Sequence, residues 1–473
     1  YIPLGCSVVC NWGFCRVWRM LMECLAEGRS ISLPASSTAA AKSLLRQTTA
    51  YARIRKQFGL PIAYMEGIEE PLARLVEAAY VNESGRSVTA SMVSAGEKPS
   101  VISALLKYQT TERMRGAVNA AFDIHGAKAI CDNHKNYLHG TYPALPVAIT
   151  VEGANILSRT LITFAQGALR SHPWLYREIK ALEDPDRDRG LDAFEDAFCG
   201  HASFMMANVF GSLAHNVSGG HFASAPEGAR ATKRWYRQLA RSTRSFALVA
   251  DLTIASLGGG LKTKQKITGR LADALSELYL LSCVLKRFED DGSPSADKKI
   301  VDYCAANCLY RFQQAVGGTI DNFPVLPVRV LLRALVFPLG ARRKPASDRL
   351  GKDIVRAALQ PGEVRDRLTR DIYVTSDPDD PLGLLEHTLA KGVEREDADK
   401  KLEKAVRSDK VRRTHTNDWF ADAQKEGIIT AEEAKALKEL EELVAKVIAV
   451  DHFDPADVRP NYGKPESASL AAE

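Results

Sequence analysis

Residues 149–157 read Ile-Thr-Val-Glu-Gly-Ala-Asn-Ile-Leu, and they place one carboxylate, that of Glu152, in an otherwise apolar run. Burial disfavours the charged form of a carboxylate, so such a group needs either a chemical role or a local charge that stabilises it. A carboxyl group in an apolar pocket is suited to abstract a proton near neutral pH. The structural alternative is that Glu152 begins a helix and is stabilised by the helix dipole.

Two upstream segments belong with this run. Residues 51–59 read Tyr-Ala-Arg-Ile-Arg-Lys-Gln-Phe-Gly, and residues 123–128 read Asp-Ile-His-Gly-Ala-Lys. Their order resembles the C-terminal helical domain of flavin-dependent acyl-CoA dehydrogenases, in which an aromatic-x3-Arg-x2-Phe-Gly segment precedes a Gly-Gly loop and a Glu-Gly-(Thr/Ala) segment. Residues 18–23 and 28–34 are similar to the large bacterial long-chain enzymes of fatty-acid β-oxidation. The resemblance spans residues 16–175 and continues more weakly to about residue 460.

The resemblance implies a catalytic base and its surroundings. Glu152 corresponds to the glutamate that removes the α-proton of the acyl thioester, while the flavin takes a hydride from the β-carbon and trans-2-enoyl-CoA forms. Arg29, Val151 and Gly153 correspond to positions at the bound thioester. The residues that would lie beside the flavin are Ala154, Asn155 and Ile156. For Arg29, a surface residue that caps a helix is the alternative.

The resemblance also implies an FAD site. Arg55 corresponds to an arginine that reaches the flavin pyrophosphate of a neighbouring subunit, and the alternative is an ordinary surface charge. The other implied cofactor contacts are Gln57, Phe58, Asp123, Gly126 and Ala127. Ala127 and Ala129 stand where the family has glycine, and each adds a methyl group where the backbone should approach the cofactor. The segment 5–17 also departs from the family, which is glycine-rich there.

Composition excludes several classes of function. The chain has 473 residues and a net charge of only +5, from 63 Lys and Arg against 58 Asp and Glu, so we expect no nucleic-acid partner. Nine cysteines occur without zinc-ligand spacing, and we expect no metal site. His125, His172 and His201 show no spacing to a metal or triad partner, and we interpret them as ordinary core or surface residues.

Apolar periodicity predicts an all-α fold. Helices over about 38–54, with Ser36 or Ser37 as N-cap, 67–95, 101–121 and 152–168 would form a four-helix bundle within a domain of residues 1–175, with a loop over 131–146. The charged run 183–190 would separate it from a second helical domain, residues 190–460. In that domain we predict helices over 230–256, 270–288, 324–339 and 430–450, and residues 461–473 should be a disordered tail.

Two functional hypotheses follow. In the first, the chain is the C-terminal part of an FAD-dependent dehydrogenase acting on long-chain acyl-CoA. Electron-transfer flavoprotein would be the electron acceptor, and the enzyme would be a cytoplasmic homo-oligomer. Peripheral membrane contact through the apolar segment 324–339 and the basic residues after it is an alternative to a buried helix. In the second hypothesis, the chain is a non-catalytic helical fragment for oligomerisation or membrane docking, and its flavin loop has decayed.

Overall fold

The computed structural model describes residues 29–97, 99–132, 134–167, 172–414 and 417–451, and the regular secondary structure of these residues is almost entirely helical. The all-α prediction is confirmed. The one sheet in the described part is a two-residue antiparallel hairpin, β1 (Lys56–Gln57) and β2 (Leu60–Pro61). The segment 5–17 and the predicted tail 461–473 lie outside the described residues.

The helices of the first part of the chain are α1 (Ser32–Ile54), α2 (Glu66–Ser94), α3 (Ser100–His125), α4 (Ala127–Ile130), α5 (Thr141–Thr150) and α6 (Asn155–Leu157), and α6 continues as a π-helical segment over Ser158–Gln166. Those that follow are α7 (Leu175–Leu182), α8 (Arg187–Val217), α9 (Lys233–Leu257), α10 (Gln265–Asp290), α11 (Lys298–Asp321), α12 (Leu326–Val336), α13 (Asp348–Leu359), α14 (Glu363–Leu368), α15 (Pro381–Glu394), α16 (Glu396–Arg407), α17 (Trp419–Lys425) and α18 (Ala431–Ile448).

The described residues form two compact units, each made of separate stretches of chain. Unit 1 contains residues 29–49, Ala63–Ala121 and Pro143–Tyr373, and unit 2 contains Ala50–Ile62, Phe122–Tyr142 and 374–451. The division therefore interleaves along the sequence, whereas the predicted domains were consecutive. The predicted domain boundary near residue 175 remains a proposal.

Helix α10 is the centre of unit 1. It packs against α11, α2 and the π-helical segment, and 16 of its 26 residues are buried. A helix that is buried on most of its circumference can carry charge only where the charge is paired. Unit 2 has a smaller core between α16, α17 and α18, and its largest members are Leu402, Trp419, Phe420 and Leu437.

The first helix begins earlier than the sequence predicts. Helix α1 starts at Ser32, so the predicted N-caps Ser36 and Ser37 lie inside it, and the Ser36 hydroxyl donates to the Leu33 carbonyl at 3.1 Å. The N-cap prediction was wrong, since Pro34 already lies in the first turn of the helix. In the first turn, the amide hydrogen that proline lacks would have no partner within the helix anyway.

The region around Glu152 also differs from the prediction. The loop predicted over 131–146 ends sooner, because α5 begins at Thr141 and includes Pro143 and Pro146. The helix predicted from Glu152 begins only at Asn155. Glu152 therefore lies in the turn between two helices, which overturns the structural alternative that it begins a helix.

The helices predicted for the later part of the chain are present, with shifted ends, as α9, α10, α12 and α18. Thr430 caps α18 in a capping box with Glu433, as expected for a Thr-x-x-Glu start. Among the described helices, none combines the length and the low charge that crossing a membrane would need.

Candidate functional site

Glu152 is held in an unusual backbone conformation. Its φ is +55°, a value that side-chain-bearing residues rarely adopt, and Gly153 follows at +107°. One carboxylate oxygen, Oε2, is buried and has no hydrogen-bond partner among the described residues. Strained backbone conformations of this kind cluster at functional sites, where the surrounding structure maintains them. A buried acceptor without a donor is also costly unless a ligand uses it.

Arg29 fixes this turn from one side. The residue is only 3% exposed, so the alternative of a surface residue that caps a helix is wrong. Its Nε donates to the backbone carbonyl of Glu152, and a Cβ at Gly153 would lie 3.0 Å from the guanidinium. Burial lowers the pKa of Arg29, and the nearby Glu152 carboxylate partly offsets that effect. The close approach of Arg29 explains why glycine follows the glutamate.

Lys107 fixes the turn from the other side, a role that the sequence analysis did not predict. The side chain is fully buried in α3, and its ammonium donates to the Gly153 carbonyl at 2.9 Å and to Asn155 Oδ1 at 2.8 Å. The Asn155 amide nitrogen in turn donates to Thr111 Oγ1 at 3.0 Å and to Glu112 Oε1 at 2.7 Å. Asn155 is thus fully engaged inside the protein. The available signal was the polar run Lys-Tyr-Gln-Thr-Thr-Glu in a helix that should be buried.

Apolar side chains around the turn are exposed. Val151 is 39% and Ile156 79% exposed, and Ala154 is also exposed. An isolated exposed apolar residue is ordinary, but three next to a buried, unpartnered carboxylate oxygen form a surface suited to an apolar ligand. The turn therefore brings together Arg29, Glu152 and this apolar surface within unit 1.

The pH dependence of stability tests the role of Lys107. Burial, together with the charge of Arg29, lowers the pKa of its ammonium to about 8 from 10.5. The unfolded chain therefore binds more protons between these two values, so this group adds stability as the pH rises through that window. We expect the free energy of unfolding of the wild type, relative to Lys107→Met, to increase from pH 8 to pH 10.5.

Urea unfolding at half-unit pH steps would measure this difference. The exposed Lys262→Met is a matched control and should show a difference from wild type that does not change over the same window. Parallel stability curves for wild type and Lys107→Met would contradict a buried Lys107 with a lowered pKa.

In unit 2, the hairpin between β1 and β2 presents Phe58. Phe58 and Gly59 form its two-residue turn with φ values of +52° and +72°, the signs of a type I′ turn. Glycine or asparagine is usual at such positions, and a phenylalanine there is strained. The Phe58 ring is 92% exposed. A strained, exposed aromatic residue is typical of a binding contact.

Arg55 is connected to the segment of Gly126 through two aromatic residues, Tyr51 and His125. Arg55 Nη1 donates to the Tyr51 hydroxyl at 2.7 Å, and the Tyr51 ring stacks on the buried His125 ring at 4.1 Å between centroids. Gly126 follows His125 with φ +60° and ψ −133°, which a side chain would not allow, and the space beyond its Cα is open. Asp123 and Gln57 are exposed nearby in the sequence.

The two alanines of this segment differ in their surroundings. Ala127 is exposed at the first position of α4, so its methyl group occupies no core space. Ala129 is completely buried, and its carbonyl accepts a hydrogen bond from the Asn136 side chain at 3.0 Å. The methyl group of Ala129 therefore packs within the protein, and replacing it by hydrogen would remove packing.

A second polar cluster lies in unit 1 around His172. The structure brings His172, His201 and Asp251 together, with ligand-type atoms within 4.8 Å of one another, although their spacing in the sequence indicated no partner. His172 Nδ1 accepts from the backbone amides of Trp174 and Leu175 at 3.3 and 3.0 Å. In the neutral ring the proton therefore lies on Nε2, which faces Asp251 Oδ1 at 2.8 Å. A protonated nitrogen cannot ligate a metal, so these contacts favour a structural pair.

Two family models match most of this chain. Residues 18–165 match the family model described as the acyl-CoA dehydrogenase C-terminal domain, and residues 169–453 match the model of the bacterial-type acyl-CoA dehydrogenase C-terminal region. A crystal structure of an acyl-CoA dehydrogenase complexed with FAD from Bacillus anthracis is similar with a TM-score of 0.52 and 19% identity, over 71% of this chain and 56% of that chain. Acyl-CoA oxidase 1 from Arabidopsis thaliana matches with a TM-score of 0.45 and 13% identity, over 76% of this chain and 50% of that chain.

The chain thus spans about half the length of these two solved structures. At 19% identity, the Bacillus anthracis structure shows a similar fold and nothing more. The second family model alone covers more than half of the sequence, and the two models meet between residues 165 and 169. On these matches and the confirmed all-α fold, the chain belongs to the acyl-CoA dehydrogenase family, with a C-terminal region of the bacterial type.

Proposed function

We propose that this chain supplies the proton-abstracting base of an FAD-dependent acyl-CoA dehydrogenase that converts long-chain acyl-CoA to trans-2-enoyl-CoA. The observation that carries the proposal is the Glu152 turn, a carboxylate with one buried, unpartnered oxygen beside an exposed apolar surface. Arg29 and Lys107 hold the turn through backbone carbonyls, so the carboxylate itself remains available for a ligand.

In the proposed reaction, Glu152 Oε2 accepts the α-proton of the acyl thioester. Val151, Ala154 and Ile156 would contact apolar parts of the bound molecules and exclude water from the carboxylate, which strengthens its action as a base. Arg29, which donates to the Glu152 backbone carbonyl, would keep the base in position during the reaction.

Several residues of unit 2 carry groups that are suited to contact FAD. Arg55 offers a planar guanidinium for a pyrophosphate, Phe58 an exposed ring, and Gly126 a backbone with open space in front of it. Gln57, Asp123 and Ala127 complete the proposed contacts. When bound, FAD would supply the acceptor for the hydride that leaves the β-carbon. We further propose electron-transfer flavoprotein as the electron acceptor and a homo-oligomer as the active form.

Anaerobic titration tests the proposed function. The natural protein that contains this sequence should purify with a yellow flavin absorbance band. Palmitoyl-CoA should bleach that band in the absence of oxygen. Butyryl-CoA, compared at the same concentration, tests the proposed long-chain preference. A colourless protein that neither retains FAD nor binds palmitoyl-CoA would favour the alternative, a non-catalytic helical module.

Arg55 provides a test of the cofactor site. Arg55→Lys keeps the charge but loses the planar fork, so we expect it to weaken FAD retention by about 10-fold, the loss of one strong charge-assisted contact. If another subunit's flavin is bound, release should also increase on dilution as the oligomer dissociates. Flavin fluorescence after dilution measures both effects.

The matched control is Arg412→Lys, an exposed arginine of unit 2. It should retain FAD like the wild type. Equal retention in Arg55→Lys, with release that does not depend on protein concentration, would remove Arg55 from the cofactor site and leave it as a partner of Tyr51.

A further inference from the structure

A cavity of about 250 Å³ lies in unit 1, and its wall includes the end of the apolar segment 324–339 and the basic residues after it. Its walls come from the end of α8, from α9 and α11, and from the segment that follows α12. Its size is close to the lower end of the range for small-molecule sites, about 300–1,000 Å³. The cavity lies in the part of the chain that matches the bacterial-type family model.

The cavity is positively charged and has no acidic residue in its wall. Arg241, Arg342 and Arg343 are among its fifteen lining residues, and none of the fifteen is Asp or Glu. Within the described part of the chain, neither Arg241 nor Arg343 forms an ion pair with a carboxylate. Burial lowers the pKa of both guanidiniums, and for Arg343, whose pKa falls to about 9, the charge of Arg241 adds to the effect.

The two guanidiniums are held in place by neutral groups. Arg241 Nε donates to the side-chain oxygen of the buried Asn216 at 2.8 Å, and Arg343 Nη2 donates to Ser242 Oγ at 2.8 Å. Gln313 fixes the Arg343 backbone, because its side-chain oxygen accepts from the Arg343 amide at 2.9 Å. Each arginine therefore keeps several N–H donors for other acceptors.

Two like charges that are partly removed from water repel each other, and this arrangement is stable only if something compensates for it. A bound dianion would neutralise both guanidiniums and accept hydrogen bonds from the N–H groups of both. A monocarboxylate or a phosphodiester would leave one charge unmatched. The wall also has an apolar part, with Phe312, Phe337 and Leu339, so the ligand should carry a non-polar group beside its anionic end.

We propose that this cavity binds the phosphate group of a phosphomonoester that bears an apolar substituent. Arg241 and Arg343 hold the phosphate, and Phe312 and Phe337 contact the substituent. The site is separate from Glu152 and does not depend on the proposed dehydrogenase reaction. The ligand is either a soluble phosphomonoester or the headgroup of phosphatidic acid, and both present the same chemistry to the two arginines.

Isothermal titration of the full chain with inorganic phosphate and with hexyl phosphate, at constant ionic strength, tests the proposal. We expect hexyl phosphate to bind more tightly than inorganic phosphate. Arg241→Gln and Arg343→Gln should each weaken binding by about 10- to 100-fold, since each removes charge-assisted hydrogen bonds. Arg349→Gln, an exposed arginine on α13 outside the cavity wall, should bind like the wild type.

Thermal unfolding separates binding from a structural role. Without phosphate, Arg343→Gln should be at least as stable as the wild type, because the repulsion between the guanidiniums is removed, and with phosphate it should be less stable. If Arg343→Gln does not fold, Arg343→Lys, which keeps the charge without the fork, should bind phosphate with intermediate affinity.

Vesicle sedimentation distinguishes the two candidate ligands, a soluble phosphomonoester and the headgroup of phosphatidic acid. Binding to phosphatidylcholine vesicles only when they contain phosphatidic acid, and loss of that binding in Arg343→Gln, would identify the headgroup. Binding of hexyl phosphate without vesicle binding would identify a soluble ligand. Two results would overturn the proposal: phosphate that stabilises the protein no more than chloride at equal ionic strength, or variants that bind like the wild type.

Discussion

Replacing Glu152 by glutamine is expected to lower the rate at which palmitoyl-CoA reduces the bound flavin by about 10²- to 10⁴-fold, the usual contribution of a general base. Glutamine has nearly the same size but cannot accept the α-proton. The contacts that hold the turn, from Arg29 and Lys107, end on the backbone carbonyls of residues 152 and 153. The variant should therefore fold and retain FAD. The decrease in the rate of flavin reduction would then report the loss of proton abstraction. Stopped-flow absorbance at the flavin band gives the rate directly.

Two comparisons make this experiment decisive. Glu97→Gln, at an exposed position beyond the end of α2, should reduce flavin at the wild-type rate. The affinity of Glu152→Gln for palmitoyl-CoA should stay within a few-fold of wild type, because the apolar contacts remain. Flavin reduction near the wild-type rate in Glu152→Gln would remove this residue from the role of base.

The largest effect on stability is expected at Glu277, in the centre of α10. This carboxylate is 4% exposed and accepts from Arg113 at 3.0 and 3.1 Å and from Arg311 at 3.0 Å. Removing the charge in Glu277→Gln leaves two arginines near the core without their shared partner. Loss of one member of a buried ion pair costs about 3–5 kcal/mol, and we expect a decrease of that size in the free energy of unfolding by urea.

Acid should weaken the same network. Burial raises the pKa of Glu277, but Arg113 and Arg311 together outweigh burial, and the folded-state pKa lies below the usual 4.5. Its contribution is therefore complete above about pH 4.5 and is lost as the pH falls through the folded-state pKa, a loss that Glu277→Gln should not show. Glu363→Gln, which breaks an exposed ion pair with Arg367, should cost no more than about 1 kcal/mol. Equal effects of the two variants would contradict a buried network.

Much of the fold could be predicted from local patterns. The helices α2, α9, α10 and α18 follow from apolar periodicity and end signals, because these interactions act between residues three and four apart. The helix ends that differ from the prediction lie near prolines and near the Glu152 turn, where the usual preference of proline for positions outside helices does not hold. Pro34, Pro143 and Pro146 are helical here, in each case against the prediction. Proline excludes only some helical positions, and tertiary packing decided the rest.

The candidate site divides in the same way. The sequence by itself determined the all-α class and singled out Glu152 and Arg55, because a charged residue in an apolar or motif context is visible in one dimension. Only the tertiary structure decided that Lys107 holds the Glu152 turn, that Glu277 joins Arg113 and Arg311, and that Arg241 and Arg343 face one cavity. These partners lie tens to more than a hundred residues apart. Their energetics arise from burial and from the pairing of charges, and neither exists before the chain has folded.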